Sequence, residues 1–208
     1  MLLAVPVGAT EQHGPHLPLT TDTDIAVALV GRLPAAVAAP PLCFGSSGEH
    51  AGFAGTLSIG QSVTQRVLIE LGRSAYESYE HVLFVSTHGG NAAPVARAVE
   101  YLRFESRDVR GWSPRFGGDA HAGRTETSLM LALDPSHVRL DLAEPGCTED
   151  IATLMPRLRR EGVRAVSPNG ILGDPTGASA AEGRELLERA AADLREFVAS
   201  WLRSEVTA

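Results

Sequence analysis

Glutamate, aspartate and histidine gather in a few short stretches of this 208-residue chain, and their types and spacing suit metal chemistry. Glu11 and His13 pair an anionic oxygen with an imidazole nitrogen two residues apart, so an extended backbone can aim both into one crevice. Asp22 follows shortly after, and its two oxygens could bridge a pair of cations. Carboxylates mixed with imidazole suit Zn, Mn or Fe(II), and the absence of nearby cysteine argues against a structural zinc site. Further candidates are Glu49 and His50 in GSSGEHAGFAG, His88 in STHGGN, and Asp119, His121 and Glu126 in GGDAHAGRTETS.

Several of these residues also admit a purely structural reading. His88 alone could be a satisfied core histidine, and Glu126 alone an ordinary surface acid. Glu49, His50 and Asp119 could line a substrate pocket, or could hold their loops by hydrogen bonds to backbone. His16 in PHLP is expected to pack between prolines, and His81 and His137 to face solvent. The glycine-rich stretches match neither G-x-G-x-x-G nor G-x-x-x-x-G-K-[ST], which argues against nucleotide binding.

The elements that must position these residues alternate short apolar runs with segments of helical period, the pattern of a parallel sheet covered by helices. Leu2 to Val7 reads as a strand, Val37 to Phe44 as an extended segment, His81 to Ser86 as a buried central strand and Val109 to Phe116 as a weaker strand. Helices are expected from Thr21 to Leu33, with Thr21 and Asp24 as a capping box, and from about Ser62 through Ala75. Others are expected from Asn91, as cap, to about Glu105, through Leu133 after Glu126, and from Thr148 to Glu161. A last helix follows Ser179, whose S-x-x-E pattern with Glu182 marks its start. The segment VSPNGILGDPTGAS reads as a long functional or connecting loop. The whole chain, 1–208, is expected to form one α/β domain, a three-layer α/β/α sandwich with a mostly parallel central sheet. In such sheets ligands bind outside the carboxyl ends of the strands. Every candidate cluster falls on that edge.

Composition narrows the partners. With 18 Lys plus Arg against 25 Asp plus Glu, the net charge is −7 and no basic block could track a phosphate backbone, so nucleic acid is not expected. Cys43 and Cys147 are far apart and are read as two reduced thiols. The N-terminus lacks a basic start, and no run approaches the roughly 18 apolar residues of a membrane span. A soluble cytoplasmic protein with no membrane partner is expected. The chain begins only ten residues before Glu11, so a truncated or alternative start is also an expectation.

The segments GATEQHGPHLPLTTDTD, STHGGN and DAHAGRTETS, in that order, resemble the signature segments of the creatininase family. The resemblance runs to about Glu182. It implies a dinuclear site for two divalent metal ions, Zn, Fe(II) or Mn, with Glu11, Asp22 and His88 on one metal, and His13, Asp22 and Glu126 on the other. Members that hydrolyse creatinine carry an aromatic residue and a Glu just after His88, where this chain has Gly89 and Gly90. That departure leaves the second metal short of a carboxylate, and Glu126 is the expected replacement. Gly118 also stands where those members have Trp, which argues against creatinine as substrate. The phrases GSSGEHAGFAGTLSIG and NGILGDPTGASAAEG most resemble a branch that trims a modified precursor peptide during redox-cofactor maturation. The implied reaction is metal-assisted amide hydrolysis releasing a Val-Tyr-derived dipeptide. His121 would be the general acid/base, and Glu49, His50 and Asp119 would line the pocket. A small-molecule amidohydrolase or deformylase, or a non-catalytic metal-binding protein, remains an alternative on the same fold. Family resemblance also implies a homo-oligomer.

Overall fold

A computed structural model describes residues 1–205 of the chain. Its sheet has four parallel strands, β1 (Leu2–Val7), β2 (Ala36–Ala38), β3 (His81–Ser86) and β4 (Val109–Trp112), in the order β2-β1-β3-β4. Because side chains alternate across a strand, β1 and β3 feed two separate cores. Leu3, Val5, Val82 and Phe84 point to one face, under α2 (Gly60–Ala75) and α3 (Ala92–Phe104), where Leu68, Ile69, Ala98 and Leu102 cover them. Leu2, Ala4, Leu83 and Val85 point to the other. There α1 (Thr21–Val30), α4 (Arg124–Leu133) and α7 (Ala180–Glu205) supply Ile25, Leu29, Leu129, Met130, Leu187 and Leu194. The apolar runs of β1 and β3 are therefore continuous because both faces are buried. The fold is the expected α/β sandwich.

Boundaries differ from the sequence reading for identifiable reasons. The segment expected to be extended from Val37 to Phe44 keeps only three residues of formal strand. It still runs beside β1, with Ala39 N–H donating to Ala4 O (2.9 Å) and Leu42 N–H to Pro6 O (2.9 Å). Pro40 and Pro41 between them have no N–H to give, so the ladder breaks. β4 likewise stops at Trp112, two residues before Pro114. The helix expected to reach Leu33 ends at Val30, although Leu33 is still buried.

Capping differs too. The Thr21–Asp24 box does not form, because Thr21 Oγ1 donates to Pro18 O (2.7 Å) and Asp24 accepts from Thr20 Oγ1 (2.7 Å). Asn91 stands at the N-cap of α3, but its side chain crosses to other loops. There it accepts from Ser46 N–H (2.9 Å) and donates to Gly8 O (2.9 Å). Ser179 does cap α7, accepting from Glu182 N–H (3.2 Å), while the Glu182 carboxylate turns to Arg124 and Ser128.

Two more helices, α5 (Ile151–Glu161) and α6 (Val163–Val166), form a satellite cluster. Their Leu154, Leu158 and Val163 pack with Leu172, and Phe53 from the glycine-rich loop leans on them. His81 is mostly covered rather than solvent-facing, since its Nδ1 lies 2.7 Å from Asp108 and its ring packs edge-on against Trp201. Cys43 and Cys147 are free and partly buried. None of the helices is long and apolar enough to cross a membrane, among the described residues.

Candidate metal centre

The loops leaving the C-terminal ends of the strands converge on one buried cluster. Glu11 and His13 arrive from the loop after β1, and Asp22 from the first turn of α1. His50 comes from the short 3₁₀ turn Gly48–His50, His88 from the end of β3, His121 from the loop before α4, and Glu126 from the first turn of α4. Among the described residues, three groups of donor atoms lie close enough together to hold a cation: Glu11, Asp22 and His88; His13, His121 and Glu126; and Glu11, His50 and His121.

The first group is the one expected for one metal. The second pairs His13 with Glu126 as expected, their Nε2 and Oε2 atoms being 3.7 Å apart, and Asp22 Oδ2 lies 3.8 Å from the same nitrogen. It also brings in His121, to which sequence reasoning gave a proton-transfer role. His50, read as a pocket residue, stands with its Nε2 3.3 Å from Glu11 Oε1.

Hydrogen bonds at the back of each ring decide which nitrogen faces the cluster. His13 Nδ1–H donates to Glu11 O (3.2 Å), which turns Nε2, without a hydrogen-bond partner, to the space between Asp22 and Glu126. His88 Nε2–H donates to Ser46 O (2.9 Å) and lies 3.2 Å from Glu11 Oε2, while Nδ1 lies 3.7 Å from Asp22 Oδ2. His121 Nε2–H donates to Gln12 O (2.8 Å), leaving Nδ1 3.7 Å from Glu11 Oε1. A ring nitrogen tethered to a carbonyl with the other left open is the usual arrangement of a metal-ligating histidine.

Both Glu11 carboxylate oxygens, Asp22 Oδ2 and His13 Nε2 are buried and hydrogen-bonded to nothing. Buried carboxylate oxygens without partners are costly, and native proteins avoid them unless a cation completes the site. The donor set of three carboxylates with open imidazoles thus fits divalent cations.

Electrostatics point the same way. Burial would raise the Glu11 carboxyl, but His88, helped by His50 and His121, holds it well below the ordinary carboxylate range. Burial would lower His13, yet Asp22 and Glu126 push it up to about 10. His88 is likewise pulled down by burial and raised by Glu11 and Asp22 to about 10. Burial pushes Glu126 up to about 7, against the pull of His13 and with the repulsion of Asp22. Protons on His13 and His88 thus stand where cations would neutralise the carboxylates. Burial keeps His50 down at about 4 despite Glu11, and keeps His121 well below its ordinary value with His13 and His50 adding to the effect.

The other expected site residues fall at or beyond the rim. Glu49 is half-buried with Oε1 3.7 Å from His88 Nε2, and it fills space over Gly90, where a Cβ would come within 2.6 Å of that oxygen. Asp119 is in none of the three groups, among the described residues. Its carboxylate instead accepts from Arg124 N–H (2.5 Å) and Thr125 N–H (3.1 Å), capping α4. His16 is buried with Nε2 2.9 Å from Thr127 Oγ1, which ties its loop to α4.

Two further features escaped sequence reasoning. Ala122 adopts a left-handed backbone (φ 54°), and its N–H donates to Glu126 Oε2 (2.6 Å), so the turn aims both His121 and Glu126. Gln12 is buried among His50, His121 and Gly170. Its position between Glu11 and His13 was the available signal.

A family model described as creatinine amidohydrolase, Creatininase, matches residues 1–198. A mutant creatininase superposes with a TM-score of 0.81 at 25% identity, covering 95% of this chain and 89% of that one. Another creatinine amidohydrolase gives 0.80 at 24% identity, over 96% and 89%. Creatininases in a Zn-Zn form and an Mn form share the fold at 23% and 22% identity. Fold and site together define a hydrolase acting on amide bonds. The mycofactocin precursor peptide peptidase of Mycolicibacterium smegmatis is 48% identical over 211 residues, covering 96% of this chain and 85% of that protein. The protein of that name from Mycobacterium tuberculosis is 45% identical over 215 residues, with the same coverage. The chain belongs to the creatininase family.

Proposed function

We propose that this hydrolase holds two divalent metal ions, Zn, Fe(II) or Mn, and cleaves a peptide bond near the C-terminus of a modified precursor peptide, releasing a Val-Tyr-derived dipeptide. The observation that carries the metal reading is the set of buried, unpartnered donor atoms on Glu11, Asp22 and His13. The substrate reading rests on the two mycobacterial relatives, whose names specify the mycofactocin precursor peptide.

Glu11, Asp22 and His88 would hold one ion, and His13 and Glu126, with Asp22 between, the other. Bound divalent cations supply the Lewis acidity that activates water at neutral pH and polarises the scissile carbonyl. Burial holds His121 toward its neutral form and Nδ1 faces the cluster, so it can accept a proton there and pass it to the departing amine. The half-buried rim position of Glu49 suits contact with substrate, and His50 stands beside it. Asp119, engaged at the start of α4, would shape the pocket by holding the His121 turn. The same reading places the enzyme in the cytoplasm as an assembly of identical copies without nucleic-acid or membrane partners, which light scattering and cell fractionation would check.

The deciding experiment incubates metal-loaded enzyme with the modified precursor peptide, with creatinine and with a formamidopyrimidine-type amide, and follows products by mass spectrometry. Release of the modified dipeptide is expected. Turnover of a small amide with the peptide left intact would overturn the substrate assignment.

A further inference from the structure

The Gln12 side-chain nitrogen lies against two of the cluster's imidazoles, His50 and His121, and following each proton shows what these contacts do. Gln12 Oε1 accepts from Gly14 N–H (2.9 Å), which fixes the amide orientation. The side-chain nitrogen therefore has two hydrogens to place. One goes to Gly170 O (3.0 Å), a carbonyl that can only accept. His121 Nε2 is 3.1 Å away, but it already carries a hydrogen donated to the Gln12 backbone O (2.8 Å) and cannot accept another. The second hydrogen must go to His50 Nδ1, at 2.8 Å. His50 is then protonated on Nε2, the nitrogen 3.3 Å from Glu11 Oε1.

We infer that Gln12 is a positioning residue that turns two neighbouring imidazoles to the cluster in fixed orientations, His121 by its Nδ1 and His50 by its Nε2–H. The rings lie 4.4 Å apart, centroid to centroid, so the two tethered imidazoles stand side by side. The group Glu11, His50 and His121, although close enough to hold a cation, is thereby not a metal site, since His50 offers no lone pair to it. His50 serves as a neutral donor beside Glu11 and the bound substrate. Packing holds the device in place: a Cβ at Gly170 would come within 1.9 Å of Gln12 Oε1, so no other residue fits there with Gln12 where it is. Gln12 is also anchored through its backbone, with N–H donating to Thr56 Oγ1 (3.0 Å).

The catalytic consequence rests on the hydrolase reading above, whereas the tautomers do not, and the experiment separates the two. Protein labelled with ¹⁵N-histidine and stripped of metal by chelation is examined by two-bond proton–nitrogen correlation, which distinguishes Nδ1–H from Nε2–H rings. Wild type should show His50 and His121 both as Nε2–H, each assigned by loss of its signal in a His→Ala variant. A wild-type His50 in the Nδ1–H form overturns the inference whatever any variant does. In Gln12→Glu a carboxylate can only accept, so His50 should switch to Nδ1–H and bare Nε2. The kcat should fall on the order of 10²-fold with KM little changed. His50→Ala should fall as far, and the double variant no further, because Gln12 acts through His50. Full kcat in Gln12→Glu with a switched tautomer would overturn the positioning role and leave the hydrolase reading intact. A wild type inactive on every amide would sink the hydrolase reading and the catalytic role with it, with the tautomers still decided by the spectrum.

Discussion

At the scale of single residues, the cluster joins acids and bases whose protonation is shared with whatever cation they hold. In the metal-free protein His13 and His88, both raised to about 10, are protonated at neutral pH, so metal uptake must expel those protons. Metal affinity should therefore rise steeply between pH 6 and 8, which competition against a chelator of known pH dependence would measure. The stability of the metal-free protein should move the opposite way. A histidine raised by folding contributes stability that is full below its unfolded value near 6.5 and is lost as pH climbs toward 10. Glu126, raised to about 7, adds a loss beginning near its unfolded value of 4.5. Melting temperatures with and without metal should thus diverge as pH rises, and curves that stay parallel would contradict this. His121→Ala is expected to lose about 10²- to 10⁴-fold in rate with both metals retained. Elemental analysis checks the second half: loss of metal would make His121 a ligand, as its closeness to His13 and Glu126 allows.

At the scale of elements, two contacts carry the site's rigidity. Asn91 joins the loop after β1 to the glycine-rich loop through Gly8 O and Ser46 N–H, although it sits at the head of α3. Asn91→Ala should cost about 1–3 kcal/mol for the buried groups left unpaired. Hydrogen exchange should quicken at residues 45–50, and His50 should lose its register with Gln12. At Gly183 α7 lies directly against α4, since a Cβ there would come within 1.8 Å of Ser128 O. Gly183→Ala should push the helices apart for about 1–3 kcal/mol, read in a denaturant melt. Much at this scale was legible in the sequence: β1 and β3 match their apolar runs residue for residue, and Ser179 marked the start of α7. Caps were less so, because Thr21 turns back to Pro18 in its own loop and Asn91 finds partners in other loops. The site divides likewise. The carboxylate and imidazole donors and their shared edge were readable from local motifs, but the contacts of Gln12 with His50 and His121 join loops far apart in sequence, and no periodicity records those.

At the scale of the molecule, the centre is a concentration of buried negative charge that two cores and seven helices enclose, among the described residues. Metal should therefore act as a structural component. At a free concentration about 100 times the dissociation constant it would add about 2.7 kcal/mol. For a domain near this size that is roughly 5–10 °C in Tm. Chelation should lower the melting temperature by that order, and re-addition should restore it.

The broken outer strands have a consequence beyond catalysis. An edge strand offers unpaired N–H and C=O groups as a template on which another chain can build, the usual route to ribbon-like aggregates. Here β2 runs only from Ala36 to Ala38 before two prolines, and β4 ends shortly before Pro114 with Arg110 along it. Neither border can extend its ladder far, so the sheet is closed to growth at both sides. Copies of this chain that associate would meet through helices and loops, and a crowded cell gains a protein whose most adhesive surface is shut by its own sequence.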